Sequence, residues 1–141
     1  MLCPNCESMS LQLSDHINLL RTYSCSDCNG DWILPEDFAY WLKHVPQESK
    51  FIEPSFVRST KQSGKQCPMT GQFMTTYVYQ NNDVTHSMYY SQSVGGIWLD
   101  DGEWDYLLQR NLTTALQSIL FSSNNVGQCT QSLNPTESLL P

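Results

Sequence analysis

The chain opens with Cys3-Pro4-Asn5-Cys6 and returns, eighteen residues later, to Cys25-Ser26-Asp27-Cys28-Asn29-Gly30-Asp31-Trp32. The spacing is C-x2-C-x18-C-x2-C, inside the window for a four-thiolate metal site. A C-x2-C pair lets two sulfurs reach one ion from a single tight turn, so two such turns supply the four corners of a tetrahedron. Cys3, Cys6, Cys25 and Cys28 are therefore the candidate metal ligands, with one Zn2+ per chain expected. Gly30 can take a positive φ where the chain leaves the metal, and Asn29 tolerates that conformation better than most residues.

Other uses of these cysteines remain open on spacing alone. Iron would take the same four sulfurs, since ligand type does not separate the two metals. Two disulfides would suit a secreted mini-protein. The N-terminus, however, shows neither a positively charged segment nor an apolar core of signal-peptide length, which points to a reducing, cytoplasmic setting.

At 141 residues the chain can hold one ordinary domain or two very small ones. Small units struggle to bury enough apolar surface unaided, so a metal staple makes physical sense. The formal charge is −7, and four thiolates around Zn2+ would make it more negative still. Such a chain repels phosphate backbones unless its few cations are gathered on one face, so direct nucleic-acid contact is not expected. No apolar run is long enough to span a bilayer.

Between the cysteine pairs, residues 10–24 read as two short strands. Leu11 and Leu13 alternate with polar neighbours, Asp15 and Asn18 offer turn chemistry, and Leu19 to Tyr23 leads back to Cys25. A hairpin hung between two metal-binding turns is a zinc ribbon. His16 belongs to the hairpin, because four sulfurs already complete the tetrahedron. After it, Pro35-Glu36-Asp37 has the chemistry of a helix start. Phe38, Trp41, Leu42 and Val45 then mark one helical face, which Pro46 ends. Residues 1–45 are thus expected to be one unit. Residues 46–66 read as a linker, with Pro46, Pro54, Gly64 and four of the seven basic residues (Lys50, Arg58, Lys61 and Lys65).

The next stretch, 67–121, repeats the first. Cys67-Pro68-Met69-Thr70 lies over Cys3-Pro4-Asn5-Cys6, and Phe73 over Met9. Tyr89 to Leu99 lies over Tyr23 to Ile33, with Gly96 on Gly30 and Trp98 on Trp32, and Trp104 follows on Phe38. The offset changes only from 64 to 66, across a hairpin formed by Thr75 to Tyr79 and Val84 to Tyr89 around Asn81-Asn82-Asp83. Three ligand positions have become Thr70, Ser91 and Val94, so this copy is expected to fold without metal. Tyr77, Tyr79, Tyr89, Tyr90, Trp98 and Trp104 are the expected replacement core. Cys67 and His86 do not make a metal site by themselves, and the acids from Asp100 to Asp105 are explained by a helix N-terminus.

From Glu103, the residues Trp104, Leu107, Leu108, Leu112, Ala115, Leu116, Ile119 and Leu120 keep helical spacing over about five turns. The distal part overshoots so small a unit. It is expected to pack either on the other repeat or on a second chain, making a homo-oligomer through the 104–121 helix. Residues 122–141 read as a flexible tail in which Cys129 is a free thiol.

The pattern C-P-x-C, hairpin, C-x-x-C-x-G-x-W-[IL]-[LD] with an acidic helix start resembles the TFIIB-type zinc-ribbon proteins of bacteria. Gly95-Gly96-Ile97-Trp98-Leu99-Asp100-Asp101-Gly102-Glu103 is similar to that family's closing motif. The resemblance covers residues 1–42 and 67–108. It implies Cys3, Cys6, Cys25 and Cys28 as zinc ligands and does not extend to Cys67. In initiation factors of similar name the ribbon docks on RNA polymerase, which implies protein contact rather than catalysis.

The expected fold is thus small α+β: tandem zinc-ribbon-like hairpin units, each followed by a helix, the second without metal ligands. The expected function is a non-catalytic, zinc-binding protein-interaction or adaptor module with a protein partner. The alternative is a transcription-associated factor contacting RNA polymerase or nucleic acid. A site closed by four thiolates leaves no coordination position for water, and no nucleophile–base set stands out.

Overall fold

The computed structural model describes residues 1–15, 20–45, 56–81, 84–110 and 112–121. The first hairpin turn with His16, residues 46–55 of the expected linker, Asn82-Asp83 and the tail with Cys129 lie outside them. The chain forms an α+β fold with one antiparallel sheet. In chain order the strands are β1 (Leu11–Asp15), β2 (Arg21–Cys25), β3 (Asp31–Ile33), β4 (Val57–Gln66), β5 (Phe73–Asn81), β6 (Val84–Tyr90) and β7 (Ile97–Leu99). Helix α1 (Pro35–His44) follows β3, and α2 (Glu103–Gln109) and α3 (Thr113–Phe121) follow β7. No helix of the described residues is long and apolar enough to cross a membrane.

The spatial order is β1-β2-β3-β7-β6-β5-β4. The hairpin stretches of 1–45 and 67–121 therefore share one sheet. The junction is the β3–β7 pair, whose register sets Asp31 against Leu99, Trp32 against Trp98 and Ile33 against Ile97. All six of these residues are buried, because the two shortest strands lie in the middle of the sheet. Side chains alternate between faces along a strand, so the pair sends its tryptophans one way and Ile33, Ile97 and Leu99 the other.

Two glycines make the junction possible. A Cβ on Gly30 would stand 2.2 Å from the Trp98 ring, and one on Gly96 would stand 2.7 Å from the Trp32 ring. Each tryptophan thus covers the glycine that precedes the other strand. Gly30 is required for close approach and not for a positive φ; the left-handed residue here is Asn29, with φ 62°.

The Ile33 face is covered by the helices. Phe38 and Trp41 from α1 meet Trp104 and Leu107 from α2, Leu112 from the turn after it, and Leu116 and Leu120 from α3 in one buried cluster. Trp41 and Trp104 pack edge to face at 5.1 Å, and Phe38 stacks on Phe121 at 6.1 Å. The tryptophan face carries a second cluster of Cys3, Cys25, Trp32, Cys67, Met74 and Trp98.

Two expectations change. Residues 57–66 are not linker but the edge strand β4, paired with β5 through two register shifts. Its sequence, Val-Arg-Ser-Thr-Lys-Gln-Ser-Gly-Lys-Gln, has no apolar alternation because an edge strand need bury little. The single long helix is instead two. The Leu112 N–H donates to the Leu107 carbonyl at 2.9 Å, the six-to-one bond that closes a helix, and α3 starts at Thr113. A straight helix over 103–121 would run about 28 Å. The break turns Leu112, Leu116 and Leu120 back onto Phe38 and Trp41, so the distal stripe packs on the other half of the same chain.

That docking predicts the effect of Leu116→Ala. Leu116 is fully buried, and its truncation should cost about 3 kcal/mol in a urea titration. Leu13→Ala on the exposed side of β1 should cost under about 0.5 kcal/mol. Equal, small effects would mean that α3 is not docked.

Candidate metal centre

Cys3 and Cys6 come from the turn before β1, Cys25 is the last residue of β2, and Cys28 lies in the turn that follows. Pairing of Leu11 with Cys25 at the end of the β1–β2 ladder brings the two turns together. Each turn is built the same way. The Glu7 N–H donates to the Cys3 carbonyl at 2.8 Å, and the Asn29 N–H to the Cys25 carbonyl at 2.9 Å. Glu7 and Asn29, the residues just past each pair, hold φ values of 55° and 62°.

The four Sγ atoms lie within 4.8 Å of one another and could hold a metal ion. Cys3 Sγ is 3.6 Å from Cys28 Sγ, and Cys25 Sγ is 3.8 Å from Cys6 Sγ. A tetrahedron with metal–sulfur bonds of about 2.3 Å has edges of about 3.8 Å. A disulfide would bring two sulfurs to about 2.0 Å, and all four thiols are free. The donor set and the spacing both fit a tetrahedral thiophilic cation.

The electrostatics point the same way. With protons rather than a cation between the sulfurs, burial and the thiols of Cys25, Cys3 and Cys28 push Cys6 up to about 12. Burial also raises Cys3, against the N–H groups of Cys6 and Asn5. Burial acts on Cys25 in the same sense, but the Ser10 hydroxyl and the N–H groups of Cys28 and Asp27 outweigh it and bring that thiol down to about 6. Four negative sulfurs this close require a positive charge among them, and a divalent ion supplies it.

Several residues around the sulfurs carry no signal in the sequence. Ser10 Oγ lies 3.0 Å from Cys25 Sγ. Asn5 Nδ2 lies 3.6 Å from Cys28 Sγ and donates at 2.8 Å to Asp100 Oδ1 in the second half. Lys65 Nζ donates to Asn5 Oδ1 and stands 3.8 Å from the same Asp100 oxygen. The Trp98 indole N–H also ends on Asp100, at 2.9 Å. Asp100 is therefore not there to cap a helix. It ties the first cysteine turn to the β3–β7 junction.

The corresponding turns of the second half repeat the backbone with a single sulfur, that of Cys67. The Gly71 N–H donates to the Cys67 carbonyl at 2.9 Å, and the Gly95 N–H to the Ser91 carbonyl at 2.7 Å. Gly71 and Gly95 hold φ values of 79° and 87°, in the positions of Glu7 and Asn29. Hydroxyls of Thr70 and Ser91 stand at two of the four thiol positions of the first half. Ser91 Oγ lies 3.1 Å from Ser93 Oγ, and Thr70 Oγ1 lies 3.2 Å from it. Burial raises the Cys67 thiol, but the Ser91 and Thr70 hydroxyls and two backbone N–H groups more than offset this and lower it.

Only part of the expected aromatic replacement sits at these turns. Trp98, with Tyr89 against it, packs beside Cys67, Met74 and Val94, while Tyr77, Tyr79, Tyr90 and Trp104 belong to the helix-covered core. His86 is not near Cys67 in function either. Its Nδ1 is 3.1 Å from Glu103 Oε2, and its ring stacks on Tyr106 at 3.8 Å.

Comparison with family models, with curated proteins and with solved structures gave no match to this chain.

Proposed function

We propose that this chain is a pair of zinc-ribbon units fused through β3 and β7, with one structural Zn2+ on Cys3, Cys6, Cys25 and Cys28, acting as a non-catalytic protein-interaction adaptor. The observation that carries this reading is the shared turn geometry. Four turns have the same carbonyl hydrogen bond and the same positive φ one residue past the second ligand position, yet only two carry cysteine pairs. Metal is then a device for stabilising the fold in one unit, and its twin replaces the ion with hydroxyls and Trp98. A closed tetrahedron of thiolates offers no site for substrate or water.

The surface supports a protein partner. Leu2 and Met69, from the neighbouring first turns of the two units, are 48% and 52% exposed, and the Leu2 N–H donates to the Pro68 carbonyl at 3.3 Å. Met9 and Phe73, which occupy matching positions, are exposed as well. Apolar side chains left open to water at related places suit docking to another protein.

Native mass spectrometry tests the metal and the repeat together. The protein should carry one zinc per chain, without the visible absorbance of a thiolate-bound iron. The triple variant Thr70→Cys/Ser91→Cys/Val94→Cys should carry two, because the second pair of turns already has the ligand backbone. A triple variant that still binds one metal would sink the repeat reading.

One observation favours the transcription-associated alternative. Strand β4 gathers Arg58, Lys61 and Lys65, and no acid occurs between residues 57 and 81 of a chain whose net charge is −7. Lys65 is already engaged by Asn5 and Asp100, which leaves a small basic edge. A gel-shift assay at low salt should show no binding of duplex DNA by the chain alone. A retarded band that fades steeply as salt rises would favour the alternative.

A further inference from the structure

The four sulfurs of the metal centre are not equivalent. Cys3 and Cys25 are each 1% exposed, Cys28 is half-buried and Cys6 is open to solvent. Their hydrogen bonds differ in the same order. Cys25 Sγ receives the Asp27 and Cys28 N–H groups at 3.4 and 3.5 Å and faces the Ser10 hydroxyl at 3.0 Å. Cys3 Sγ receives the Cys6 N–H at 3.4 Å, and Cys28 Sγ receives the Asn5 carboxamide at 3.6 Å. Among the described residues, no N–H or O–H group points at Cys6 Sγ.

A hydrogen bond to a metal-bound thiolate withdraws charge from the sulfur and lowers its nucleophilicity, and burial blocks approach. We propose that Cys6 is the modification site of this centre: the thiolate that soft electrophiles and peroxides attack first, and through which the metal is released. The inference rests on the metal-site reading above.

The chemistry closes with a peroxide as the oxidant. The Cys6 thiolate attacks one peroxide oxygen, the O–O bond breaks, and a sulfenic acid forms with release of hydroxide or alkoxide. The Cys25 thiolate, 3.8 Å away, then attacks the Cys6 sulfur. An S–S bond forms, the S–O bond breaks and a second hydroxide leaves. The two sulfurs together give up two electrons, which reduce the peroxide. With Cys6 and Cys25 joined, only the Cys3 and Cys28 sulfurs would be left to hold the ion, which would undergo no change of charge and would be released.

The test uses the zinc-loaded full chain carrying Cys129→Ser, so that this additional cysteine does not compete. Metal content is measured first. The protein then receives sub-stoichiometric N-ethylmaleimide, and the modified cysteine is located by peptide mass mapping. Cys6 should be labelled at least about tenfold faster than Cys3, Cys25, Cys28 or Cys67. Asn5→Ala should raise labelling at Cys28 severalfold and leave Cys6 unchanged.

A second variant covers the loss of Cys6 itself. Cys6→His keeps four ligands, since imidazole nitrogen also binds zinc. Its release of zinc to a chromophoric chelator under hydrogen peroxide should be about tenfold slower than that of the parent. Metal-loaded protein labelled first at another cysteine, or a Cys6→His variant that releases zinc at the parent rate, overturns the inference and leaves the metal-site reading intact. A chain that holds no metal overturns both.

Discussion

Withdrawing the metal is expected to unfold the protein, not merely to loosen its first turn. Structural zinc sites of this kind contribute about 10 kcal/mol or more near neutral pH, comparable with the whole stability of a typical domain, about 5–15 kcal/mol. The position of the site makes that contribution count. Cys3 and Cys25 share a buried cluster with Trp32 and Trp98, so the turns that hold the ion also form one wall of the junction. Without a cation, burial and the neighbouring thiols favour the protonated form at Cys3 and at Cys6, which rises to about 12. Asn5 is then no longer held toward Cys28, and its link to Asp100 and Trp98 weakens with it. A strong chelator at neutral pH, or Cys25→Ser, should abolish the near-ultraviolet circular dichroism of the buried tryptophans and the cooperative thermal transition. A chelated protein melting within about 2 °C of the parent would show that the cysteines contribute little.

The second large effect is expected at a residue without any chemistry. Gly30→Ala places a methyl group 2.2 Å from the Trp98 ring, a separation that carbon atoms cannot hold. Trp98 is fully buried, and its indole N–H is fixed to Asp100, so the ring has nowhere to go. Overpacking of this severity should cost at least about 3 kcal/mol and lower the melting temperature by about 10 °C. Gly96→Ala should behave alike, because its Cβ would stand 2.7 Å from the Trp32 ring and 3.0 Å from the Ile33 carbonyl. Gly64→Ala is the control. Nothing lies within 4 Å of a Cβ there, so the change should be neutral or should stabilise by up to about 1 kcal/mol. Similar melting temperatures for Gly30→Ala and Gly64→Ala would contradict the close β3–β7 approach. In metal-loaded protein, zinc content should stay at one per chain in all three variants, which separates this effect from that of the chelator.

The two predictions fall on different sides of what a sequence can express. The cysteine cluster is local: each C-x2-C pair closes its own turn, and a hairpin of fixed length brings the turns together. The clustering of the four cysteines, both hairpins and the α1 face of Phe38 and Trp41 were therefore legible from spacing and periodicity alone. So was the correspondence of residues 3–42 with 67–108, since it is a property of the letters. What the letters left open depends on residues far apart in the chain. Asn5 and Asp100 are 95 positions apart, and nothing in either neighbourhood announces the other. Strand β4 was invisible because an edge strand pairs through its backbone and shows no apolar period. The break between α2 and α3 was hidden for the opposite reason. Leucines at helical spacing satisfy one straight helix or two bent ones equally, and only the position of Phe38 and Trp41 chooses between them. Gly30 carries the same lesson most sharply. By itself it reads as conformational freedom in a turn, whereas its role is the space it leaves for a tryptophan 68 residues on. Tertiary packing decided that role, because steric exclusion belongs to a pair of groups and exists only once the fold has brought them together.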